Sequence, residues 1–150
     1  MPWFRHPLSR YATLVGRTAL RARVPIELEC SPGRWVLESN CVVDTGSSFC
    51  LFSATWARAN GLLLPPVSYT LPLNTAGGHT AGRAYDLAVN ARFARMPEVP
   101  FSLAVVFSEA HPPGAPTLLG LHNLLTYWRV TFDGTREPGA PAGHMRFETV

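Results

Sequence analysis

From Val24 to Cys30 the chain alternates apolar and polar positions in RVPIELEC, and after the turn signal SPGR an extended pattern resumes in WVLESNCVVD. A period of two places every second side chain on one face, so this region predicts a half-buried hairpin leading into Asp44. Beyond the small-residue stretch DTGSS, FCLF reads as a short apolar strand. Ser53 is placed to cap a brief helix over ATWARANGL, with Gly61 as its stop. SYTLPLNTAGGHTAGRAYDLAVNARF predicts two extended arms around a glycine-rich tip at Gly77, Gly78 and Gly82, and VPFSLAVVF predicts a buried strand. PPGAP is a loop, TLLG a very short strand, LHNLLTY a helical turn or two, WRVTFDG a strand and HMRFETV the last strand. The pattern is all-β, with one or two short helices and no internal repeat.

The chain has 150 residues, enough for one domain with a real core and too few for two ordinary ones. We expect a single domain over 1–150, with its core at about 23–134, an N-terminal extension at 1–22 and a C-terminal strand or extension at 135–150. At 47% hydrophobic and 15% charged, with 14 Pro and 12 Gly, the composition suits short elements joined by many turns rather than disorder. All 13 basic residues are Arg and they are scattered, so no face reads as a phosphate-binding stripe and no nucleic-acid partner is expected. Cys30, Cys41 and Cys50 are an odd set without CxxC spacing, which predicts reduced, buried thiols rather than disulfides or zinc. His6, His79, His111, His122 and His144 lack the spacing that puts two imidazoles on one metal, so no metal site is expected. No stretch reaches membrane-spanning length, and the expectation is a soluble, cytoplasmic protein without a membrane partner.

The candidate chemistry lies in CVVDTGSSFCLF, where one carboxylate, Asp44, separates a β-branched apolar run from a turn of small hydroxyl residues. DTG alone is compatible with an ordinary Asx-type turn. Its context is more telling: a strand and short helix follow, then a Gly-rich hairpin, a buried strand, and an apolar-apolar-Gly stretch entering a helix, LLGLHNLL. This order, over about 23–134, resembles the retropepsin-like aspartic proteases, the single-lobe relatives of pepsin. The resemblance implies a small closed β-barrel-like domain with a flap hairpin. It also implies an aspartic endopeptidase that acts on peptide or protein substrates without a cofactor.

A peptide bond can be hydrolysed by a water held between two carboxylates, one ionised to take its proton and one protonated to polarise the carbonyl. Asp44 supplies one. Asp86 and Asp133 lie in contexts unlike a second DTG turn, and the chain has no room for a second lobe. A C2 homodimer, with Asp44 facing Asp44 of its partner, supplies the other. Around it, Gly46 permits close backbone approach. Thr45, as the resemblance implies, hydrogen-bonds across to the partner loop. Ser47 can donate to the outer oxygen of Asp44, favouring its ionised form, and Ser48 belongs to the turn. In TAGGHTAG, taken alone, residues Ala76, Gly77, Gly78 and His79 read as well as a surface hairpin with permissive tip residues; in their place after DTGSS they resemble a flap closing over substrate. His79 is not read as catalytic. After the apolar-apolar-Gly stretch, the family often carries Arg and then Asp or Asn, the Arg buttressing loop and dimer; Leu121 and His122 stand there instead. Two further readings stay open at this level: a retropepsin-like binding or dimerisation module without useful catalysis, and a protease that awaits a partner or self-cleavage.

Overall fold

Alternation builds most of the molecule, and the computed structural model describes residues 1–12, 18–75 and 78–150. The N-terminal segment holds strands β1 (Trp3–Pro7), β2 (Ser9–Ala12) and β3 (Thr18–Arg21). The hairpin read from RVPIELEC is β4 (Ile26–Ser31) and β5 (Arg34–Glu38), turning at Gly33, whose φ of 74° suits a residue without a Cβ. The extended run after the turn divides in two, because Glu38 Oε1 accepts from the Asn40 amide at 2.7 Å and bends the chain before β6 (Cys41–Val43). After the Asp44 turn come β7 (Cys50–Ser53) and α1 (Ala54–Ala59). Ser53 Oγ caps that helix by accepting from the Trp56 amide at 3.2 Å, and Gly61 follows at φ 79°. The long hairpin is β8 (Tyr69–Thr75) and β9 (Gly78–Phe93); then come β10 (Phe101–Ser108), β11 (Thr117–Leu119), the one-turn α2 (Leu124–Tyr127), β12 (Trp128–Asp133) and β13 (His144–Thr149).

Eight strands form one curled sheet in the order β5-β4-β9-β10-β7-β11-β6, with β8 paired to the outer half of β9. Its pairs are antiparallel except β10 with β7 and β11 with β6. β10 alternates between buried residues such as Leu103 and exposed ones such as Ala104, so one face of this expected buried strand meets solvent.

A second sheet, ordered β1-β13-β12, closes the other side. Phe4 faces Phe147 in the ladder and stacks on it at 4.7 Å, and Phe93 meets Trp128 edge-on at 5.1 Å. Such aromatic contacts add to the burial of large apolar area. The segment expected as an N-terminal extension, 1–22, adds to the core beyond 23–134: Phe4 belongs to the same buried cluster as Ile26, Phe93 and Met145. Residues 144–149 form the expected last strand. Among the described residues, no helix is long and apolar enough to cross a membrane.

Candidate active site

β6 and β7 are joined by the Asp44 turn, yet they do not pair with each other, because β11 lies between them. It runs parallel to β6, with Leu118 opposite Val42, and antiparallel to β7, with Leu118 opposite Leu51. The turn therefore has to cross the end of β11, and the backbone fastens it there. The Asp44 amide donates to the Leu119 carbonyl at 2.9 Å, the Leu121 amide to the Ser47 carbonyl at 3.0 Å, and the His122 amide to the Ser48 carbonyl at 2.9 Å. At the crossing a Cβ on Gly120 would lie 2.2 Å from the Phe49 carbonyl oxygen. Only glycine fits. Where an arginine buttress is missing, these backbone bonds and that contact hold Leu121 and His122 against the turn.

Asp44 is half-buried, and its Oδ1 accepts from the Gly46 amide at 2.9 Å. A Cβ on Gly46 would stand 3.3 Å from that oxygen, a tight contact with the carboxylate. The carboxylate opens into a cleft of about 440 Å³ that Gly46, Ser47, Pro72, Leu73, His111 and Leu118 help to line. Pro72 and Leu73 belong to β8, so the stem of the Gly-rich hairpin walls the same cleft as Asp44. Of the residues expected at the hairpin tip, Ala76 and Gly77 lie outside the described residues. Gly78 opens β9 opposite Thr75, and His79 is exposed and does not line the cleft. Thr45 is exposed and faces a different groove, of about 480 Å³, which Arg21, Val42, Pro116, Leu118 and Phe132 also line.

The expected role of Ser47 changes. Its Oγ donates to the Phe49 carbonyl at 2.7 Å, closing the turn on itself. A hydroxyl has one proton to give, so in this arrangement it does not also donate to Asp44.

His111 was not singled out by sequence reasoning, since it lies in a Pro-rich loop far from DTGSS. It is 8% exposed, and Nε2 lies 3.0 Å from the Pro116 carbonyl. Burial holds the imidazole below its ordinary range, and the bond to Pro116 opposes that shift. The three cysteines are free and buried, as expected. Burial pushes the Cys50 thiol up to about 11 and Cys41 well above its usual range, so neither is a ready thiolate. Among the described residues, no group of three or more His, Cys, Asp or Glu is placed to hold a metal ion.

The model of the family described as "Aspartyl protease" matches residues 36–122, from β5 to the residues just before α2. The chain belongs to the aspartyl protease family. The matched span is more than half of the chain and contains the Asp44 turn, the Gly-rich hairpin and the β11 crossing. Among solved structures, the chain is similar to a retropepsin-like aspartic protease from Rickettsia conorii, with a TM-score of 0.53 over 99% of each chain at 15% identity. At that identity the likeness speaks for the fold, which is retropepsin-like. Comparison with curated proteins gives no match.

Proposed function

We propose that this aspartyl protease family member is an endopeptidase whose water is activated by two Asp44 carboxylates, one from each subunit of a homodimer. The observation that carries this reading is the cleft itself. Asp44 is the one carboxylate that lines it among the described residues, on a turn the backbone has already fixed. Two carboxyls about 3 Å apart share one proton, giving the base that deprotonates water and the acid that polarises the peptide carbonyl. A second copy brings the missing group without a second lobe.

The face beside Thr45 supports a second copy. Trp128, Val130 and Phe132 lie on one side of β12, and their cover runs out along the strand, from 1% exposed at Trp128 to 46% at Phe132. β12 is also one of the two edge strands of its sheet, the other being β1, with β13 paired between them. The bare end of that stripe lines the groove next to Thr45. A two-fold axis through the Asp44 turns brings this groove to the partner.

Leu121, in place of a charged buttress, favours a loose dimer and keeps the second reading, a binding or dimerisation module, in view. The test is cleavage of an unstructured protein such as casein from pH 3 to 7, at several enzyme concentrations. A bell-shaped profile, with specific activity rising as the protein is concentrated, supports the dyad. No cleavage at any concentration leaves the module reading.

A further inference from the structure

We infer that His111 is a positioning residue of the cleft: its imidazole staples the loop 111–116 into a fixed wall and thereby sets how tightly substrate is held. The inference rests on the endopeptidase reading, because it assigns the cleft to substrate.

The loop needs a staple because of its sequence. HPPGAP contains Pro112, Pro113 and Pro116, none of which has an N–H to donate, so the backbone cannot close the segment as a ladder. Its backbone bonds are few: the His111 amide reaches the Ser108 carbonyl at 3.4 Å, the Ala115 amide the Pro112 carbonyl at 3.0 Å, and just beyond the loop Thr117 donates to Asn40 at 2.9 Å. The bond spanning the whole loop comes from a side chain, His111 Nε2 to the Pro116 carbonyl at 3.0 Å. A carbonyl only accepts, so Nε2 carries the proton and the tautomer is set.

The staple joins three parts of the site. His111 lines the Asp44 cleft, while Pro116, whose carbonyl it holds, lines the groove beside Thr45. Just before the loop the hairpin stem rests on residues 109–110: a Cβ on Gly82 would lie 2.9 Å from Ala110, and the Glu109 amide donates to the Arg83 carbonyl at 2.8 Å. Freeing the loop therefore displaces the surface that substrate leans on, while the backbone bonds of the Asp44 turn to Leu119, Leu121 and His122 are not the ones it breaks.

The alternative is a core histidine satisfied by a nearby carbonyl, and three variants separate the two roles. Leucine fills the space without a donor, glutamine can place its amide N–H near the Nε2 position, and asparagine is too short to reach. His111→Leu should raise KM roughly two- to tenfold, the range for one neutral hydrogen bond, with kcat unchanged. His111→Gln should restore KM toward wild type, and His111→Asn should resemble leucine, standing in for it if the leucine protein fails to fold. Amide hydrogen exchange at Ala115 and Thr117 should quicken in the leucine and asparagine proteins and recover in the glutamine one. Equal behaviour of all three variants, or a fall confined to kcat, overturns the staple. If wild type cuts nothing, the endopeptidase reading fails by itself; the exchange rates then decide, and unchanged protection without the donor overturns the staple.

Discussion

The Asp44 turn and the last strand of the small sheet are incomplete in opposite ways. At the turn the mechanics are finished: backbone bonds tie residue 44 to the end of β11 and residues 47 and 48 to the segment after it, and Gly120 leaves no slack at the crossing. For the proposed hydrolysis its chemistry is half-made, with one carboxylate where peptide hydrolysis asks for two. On β12 the aromatic packing is complete at Trp128, whereas Phe132 is 46% exposed. What is missing there is cover, not a reacting group. Thr45 and Phe132 line one groove, so in the proposed dimer a single object, a second copy of the chain, would meet both deficits. Local folding can satisfy every strand and leave function to assembly.

The sharpest break of that comparison removes the chemistry and spares the mechanics. Asp44→Asn keeps an oxygen able to accept from the Gly46 amide, so melting temperature should hold while kcat/KM falls roughly 10²- to 10⁴-fold, the usual worth of a positioned acid or base. Added in excess to wild type, this variant should depress activity further by forming mixed dimers. Substantial turnover by the pure, folded variant removes Asp44 from the mechanism.

Next is the converse, damage to the mechanics with Asp44 intact. A methyl at residue 120 meets the Phe49 carbonyl oxygen at 2.2 Å and its carbon at 2.5 Å, both backbone atoms. Gly120→Ala should cost about 1–3 kcal/mol or more in denaturant unfolding, as overpacking does, and should displace the turn. Gly114→Ala, where nothing lies within 4 Å, is the control and should be silent by comparison. Equal stability of the two variants removes the crossing as the constraint on the turn.

Much of the turn and little of its surroundings was legible in the sequence. Period-two runs fix strands from neighbours two residues away, and Ser53 and Gly61 cap α1 through contacts within a turn, so such elements can be read locally. The DTGSS and LLG stretches could be placed because their order among the other elements resembles the retropepsin-like family, DTG alone being compatible with an ordinary turn. Phe4 could not be read as core, since its partner Phe147 lies at the far end of the chain. His111 was hidden for a related reason: its bond to Pro116 is local, but its burial depends on strands that arrive from elsewhere. For Ser47 the error was one of choice. Two acceptors lie near in sequence, and only the folded turn selects Phe49 over Asp44.

A smaller change attacks the cover. Phe132→Arg puts a charge at the bare end of the β12 stripe, where pairing would bury an aromatic ring, and symmetry counts the loss twice. With about 1 kcal/mol of burial at stake per half-exposed Phe, the dimer dissociation constant should rise roughly tenfold or more in sedimentation. Activity should recover at high protein concentration. Leu37→Arg, on the exposed edge of β5, should leave both unchanged. An unaltered dissociation constant in the Phe132 variant places the partner on another face.

The slightest expected effect separates the two possible duties of Ser47. Its hydroxyl closes the turn onto the Phe49 carbonyl, so Ser47→Ala should cost about 0.5–1.5 kcal/mol of stability, the net worth of one hydrogen bond. The acid limb of the activity profile should stay in place. A donor to the ionised carboxylate acts with the opposite signature: its loss disfavours the charged form, raises the acid-side pKa and carries the limb toward neutral pH. The pH dependence of kcat/KM therefore reads out which acceptor the hydroxyl serves in the working enzyme. A limb that moves upward shows that assembly turns Ser47 from Phe49 to Asp44, and that the turn is mechanically finished only in the free subunit.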